Sequence, residues 1–89
     1  MNYQKIDAAL AVALQDIQDW EARILVVFIQ TESELDNDAV AFLERLGVRG
    51  VTNKRQIFTA TLSRREIEEL SEQVWVKYLR LSQKLRLSE

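Results

Sequence analysis

The sequence predicts a single α+β domain in which two helices cover one face of a four-stranded antiparallel sheet, with an additional helix in front. Three observations carry that expectation. The run Ile24-Leu25-Val26-Val27-Phe28-Ile29 is apolar throughout and rich in β-branched residues, as a central strand would be. Residues 56–62 alternate clearly, with Phe58, Ala60 and Leu62 on one side and Ile57, Thr59 and Thr61 on the other. Ser63-Arg64-Arg65-Glu66 then places Ser and Glu at the spacing of a capping box, which opens a helix directly after that strand.

Taken in order, residues 5–19 come first. Ile6, Leu10, Leu14 and Ile17, with Ala13 beside them, share one face of an amphipathic helix of about four turns, and Val12 lies off that stripe. A strand follows at residues 24–30. Ser33 or Asp36 is the expected N-cap of the next helix, which carries acidic residues in its first turn, where the helix dipole favours them. Its apolar face is Ala39, Phe42, Leu43 and Leu46, widened by Val40, and Gly47 suits the left-handed position that ends it. Residues 48–52 make a short second strand, with Gly50 marking a bulge, and Asn53 sits in a polar hairpin connection. The strand at 56–62 and the capped helix burying Ile67 and Leu70 come next, then a last strand at 74–81. There Trp75, Lys77, Leu79 and Leu81 alternate with Val76, Tyr78 and Arg80, and a polar tail at 82–89 is expected to be extended or frayed. The order β-α-β-β-α-β with right-handed crossovers defines a ferredoxin-like sandwich at 24–81, preceded by the helix of residues 1–20, all in one domain spanning 1–89.

Composition narrows function. The 89 residues contain no Cys and no His, so the thiol nucleophile, the usual general base and the commonest soft metal ligands are absent. The chain is expected to be no enzyme, and no catalytic, cofactor-binding or metal-binding residue is assigned. A formal net charge of −2 with scattered basic residues argues against nucleic-acid binding, as does the lack of an aromatic RNA-recognition pattern around Phe28 and Phe58. The longest apolar run has six residues, against the roughly 20 a membrane-spanning helix needs, and no signal peptide stands at the start, so a cytoplasmic location is expected.

Residues 58–70 (Phe58-Thr59-Ala60-Thr61-Leu62-Ser63-Arg64-Arg65-Glu66-Ile67-Glu68-Glu69-Leu70), followed by Val74-Trp75-Val76-Lys77-Tyr78-Leu79, resemble the second half of subtilisin-type propeptides, the inhibitor I9 family. Ile24 to Ile29 is similar to that family's opening strand, and Phe42-Leu43-Glu44-Arg45-Leu46-Gly47-Val48 to its first helix and turn. The resemblance implies a module that docks the outer face of its sheet on surface helices of a subtilisin-type serine protease, as inhibitor or folding helper. An extended C-terminal segment would then lie in the substrate cleft. Two features are expected to depart from the family: the module would stand alone and act in trans, without a protease domain after it, and the helix at residues 5–19 is extra.

Binding candidates follow from both readings. Trp75 and Tyr78 are interface-type aromatics on opposite strand faces. In the tail, Leu85 and Leu87 are the residues expected to enter a cleft. The outer sheet face needs a cover, which could be the N-terminal helix, a second copy of the chain in a homodimer, or a different protein. Arg64 and Arg65 with Lys54 and Arg55 form a candidate basic patch. Glu32, Glu34, Asp36 and Asp38 lack the Gly and terminal Glu of a calcium loop and read as a charged helix start.

Overall fold

The apolar run becomes the middle of the sheet. A computed structural model describes residues 1–52 and 54–85. After a 3-10 turn at Tyr3–Lys5 come α1 (Ala8–Gln15), β1 (Leu25–Thr31), α2 (Asn37–Arg45), β2 (Ile57–Leu62), α3 (Arg64–Ser71) and β3 (Val76–Lys84). β1 lies between β2 and β3 and is antiparallel to both. Leu25, Val27, Ile29 and Thr31 point from β1 into the core, while Phe28 and Gln30 point out.

The α+β class stands, but the sheet has three strands among the described residues, not four, so the ferredoxin-like βαββαβ expectation is corrected. The missing strand is the one expected at 48–52. Its first amide is already committed: Val48 N donates to Leu43 O (3.1 Å) and Gly47 N to Glu44 O (3.0 Å), the paired hydrogen bonds of a Schellman helix end. Gly47 (φ +87°) and Gly50 (φ +69°) both take left-handed backbone on either side of Arg49, so the chain turns where a strand would run extended. Val48 is buried and seals the end of α2.

Helix starts follow their capping chemistry. Asp36 accepts from Ala39 N (2.8 Å) to open α2, and the Ser63–Glu66 capping box is formed in both directions at α3. α1 is shorter than the expected 5–19. Asp7 caps it by accepting from Leu10 N (2.9 Å), because Ile6 and Asp7 are drawn onto the edge of β3. Ile6 forms a parallel bridge with Leu79, Asp7 N donates to Leu79 O (3.1 Å), and Leu81 N donates to the Asp7 carboxylate (3.3 Å).

β3 also runs further than expected, through Lys84, so residues 82–84 take the extended alternative, as paired strand, and not the frayed one. Its pairing with β1 skips Lys77 and Ser82, one extra residue at each of two register shifts. These bulges break simple alternation and let Val76 and Leu79, three apart, both face the core.

One apolar cluster joins all three helices to one sheet face. It contains Leu10 and Leu14 of α1, Ala39 and Leu43 of α2, Ile67 and Leu70 of α3, and the inward residues of every strand. Burial of a Leu or Ile side chain contributes roughly 1.5–3 kcal/mol. α1 is pinned beside α3, for Arg64 Nη1 donates to the Leu14 carbonyl (2.6 Å) and the Arg64 guanidinium stacks 4.3 Å from the Trp20 ring centroid. The Met1 amino group bonds Glu72 (2.9 Å), a hydrogen bond that raises the amine above its ordinary pKa and holds the carboxyl below its own. Among the described residues no helix is long and apolar enough to cross a membrane.

Candidate functional site

With every helix on one side, the other face of the sheet is open among the described residues. The N-terminal helix does not cover it: Ile6, Leu10, Leu14 and Ile17, the stripe that could have done so, are all buried in the helix-side core. The outward face is built by register. Gln30 stands between Ile57 of β2 and Tyr78 of β3, and Phe28 stands between Thr59 and Arg80. Phe28, Gln30, Ile57, Tyr78 and Arg80 line a shallow depression of about 250 Å³. Ile57 is 56% exposed and Phe28 38% exposed, values that belong to solvent-facing side chains and not to a core.

The predicted binding residues do not converge. Tyr78 is in the depression. Trp75 precedes β3 on the helix side and packs edge-to-face on Phe42, with ring centroids 5.7 Å apart. Leu85 is part exposed, and its amide donates to Ile24 O (2.7 Å), continuing the ladder past β3. Leu87 lies outside the described residues.

Phe28 and Ile57 are the neighbours that sequence reading left out of the site. Their signal was the position of each in its strand's outward set, one inside an apolar run and the other among threonines. The expected basic patch also divides. Arg65 pairs with Glu21 and Arg64 with Trp20 and Leu14, whereas Arg55 lies over Phe58 with its guanidinium 5.3 Å from the ring centroid. Asp36 and Asp38 of the acidic run serve the start of α2. Among the described residues no cluster of His, Cys, Asp and Glu could hold a metal ion.

No protein-family model matches the chain, and neither a curated protein nor a solved structure does. The geometry of the open face therefore carries the functional argument.

Proposed function

We propose that this chain is a non-enzymatic protein-binding module that docks a partner on the outer face of its sheet, and that the partner is a subtilisin-type serine protease, which it inhibits or helps to fold. The observation that carries the reading is the side on which α1 packs. Had that helix crossed the outer face, docking in the propeptide manner would be closed; it lies beside α3 instead, and Phe28, Ile57 and Tyr78 stay accessible. An aromatic pair flanked by an aliphatic residue, with Arg80 and Gln30 around them, matches the composition of interface centres. The resemblance of residues 58–79 to the propeptides selects the protease among protein partners, with Leu85 and Leu87 as the tail residues directed to its cleft.

Inhibition of subtilisin-like proteases by the 89-residue chain tests the proposal. Inhibition that falls roughly tenfold or more in Phe28→Asp or Tyr78→Asp supports it. No inhibition at micromolar concentration sinks the protease assignment. The same face suits a second copy of the chain, because among the described residues Arg80 is the one charged residue lining the depression. Sedimentation separates the two readings: a dimer abolished by Phe28→Asp leaves the face no room for a protease.

A further inference from the structure

The open edge of β2 is a second surface, independent of the outer face. Among the described residues β2 pairs with β1 on one side only. Thr31 N donates to Gln56 O (2.8 Å), and the register continues with Ile29 opposite Phe58 and Val27 opposite Ala60. In an antiparallel ladder hydrogen-bonded and non-hydrogen-bonded pairs alternate, so Phe58, Ala60 and Leu62 turn their backbone groups to β1. Ile57, Thr59 and Thr61 turn theirs to the free edge. Arg55 Nη2 takes the Ile57 carbonyl (3.3 Å), as that orientation requires. Among the described residues, the edge-facing amides and carbonyls of Thr59 and Thr61 have no protein partner.

A groove of about 610 Å³ runs along this edge, lined by Thr59, Ala60 and Thr61 on one side and by Leu46, Gly47 and Arg49 on the other, with Arg23 and Arg55 completing it. It occupies the place from which the chain turns away at Gly47 and Gly50. Among the described residues, three guanidinium groups line it and no carboxylate does. Arg23 reaches Glu66 on α3 (2.7 Å), while Arg49 makes no ion pair among the described residues.

We propose that this groove is a strand-addition site for an extended segment of another protein that carries carboxylate side chains. Unpaired edge groups supply the main-chain ladder, which any sequence can satisfy. The arginines supply selectivity. An added strand alternates its side chains, placing one set beside Thr59 and Thr61 and the other toward the helix layer, where Arg23, Arg49 and Arg55 stand. Carboxylates in that second set meet arginine donors in forked, charge-assisted geometry. A second copy of the chain pairing β2 to β2 would instead set each copy's arginines against the other's, a like-charge arrangement that opposes association.

The test uses the full chain and two blocked eight-residue peptides, one alternating valine with glutamate and one alternating valine with lysine. Titration followed by amide NMR and hydrogen exchange is expected to show binding of the glutamate peptide with slowed exchange at Thr59 and Thr61. Raising salt from about 20 mM to about 500 mM weakens it, and the lysine peptide does not bind. Arg49→Glu lowers affinity by roughly fivefold or more. Thr59→Pro removes an edge amide without touching the ladder to β1, a substitution an edge strand tolerates, and abolishes binding. Equal binding of the two peptides overturns the proposal. So do absence of binding by either peptide, shifts confined to Phe28 and Tyr78, and a peptide-free dimer protected at Thr59 and Thr61. Because Phe28→Asp lies off the edge, retention of peptide binding in that variant keeps this test separate from that of the outer face.

Discussion

The Leu81 amide donates to the Asp7 carboxylate at 3.3 Å, so the residue that caps the first helix also closes the outer edge of the last strand. The same carboxylate oxygen accepts from Leu10 N at 2.9 Å, and the Asp7 amide bonds the Leu79 carbonyl at 3.1 Å. One short side chain thus serves helix initiation and edge protection together.

Asp7→Ala should cost about 1–2 kcal/mol, the loss of an N-cap with a further unsatisfied edge amide. Asp7→Asn keeps an acceptor oxygen and should cost clearly less. Urea unfolding gives the stabilities. Hydrogen exchange at Leu81 should accelerate in the alanine variant ahead of global unfolding.

Neighbouring positions on β1 should respond in opposite ways. Phe28→Thr removes a side chain from the open face and should change stability by no more than about 0.5–1 kcal/mol. Ile29→Ala empties a fully buried site and should cost roughly 2–5 kcal/mol. Thermal or urea unfolding of the pair distinguishes an open outer face from a covered one, since cover would make the two costs similar.

At Gly47 (φ +87°) a Cβ would meet no atom within 4 Å, so the penalty for substitution is conformational alone. Gly47→Ala should destabilise by about 1–2 kcal/mol, and Gly47→Asn, which tolerates left-handed backbone better, by less. Equal losses in a denaturation series would show that crowding, not backbone conformation, sets the cost.

Glu66 has two roles that can be separated. Its carboxylate accepts from Ser63 N (2.9 Å) in the capping box and bonds Arg23 (2.7 Å) at the groove. Glutamine satisfies the box equally well. Glu66→Gln should therefore leave stability within about 0.5 kcal/mol, while freeing Arg23 and tightening the glutamate peptide by roughly twofold to threefold. Calorimetry measures both quantities on one sample.

Much of the local chemistry, which depends on near neighbours, was legible in the sequence. The spacing of Ile6, Leu10, Leu14 and Ile17 identified residues that are all buried, and Ser63 with Glu66 marked the start of α3. The alternation of residues 57–62 separated the two faces of β2 correctly. One failure was local: Val48 looks strand-prone, yet its amide closes the end of α2 on Leu43. The others depended on pairing between distant segments. Lys77 and Ser82 carry nothing that announces a bulge, so alternation misassigned faces along β3. The apolar run at 24–29 is the central strand its composition suggested, but cover on both faces, the other reading of such a run, does not hold: Phe28 stands open with a polar and a charged neighbour around it. The groove was hidden for a related reason: Arg23 comes from the connection between α1 and β1, and Arg49 and Arg55 from that between α2 and β2, two segments that only the fold brings together.

The Asp7 closure also sets the valence of the sheet. β3 has spent its Leu79 carbonyl and its Leu81 amide on the chain's own N-terminal segment, whereas among the described residues the edge groups of Thr59 and Thr61 on β2 are unpaired. A sheet that accepts a strand on one side only cannot pass the addition on to a further molecule. If strand addition takes place as proposed, edge pairing would therefore saturate at one segment per chain, and the route from it to an endless filament would be blocked at its first step.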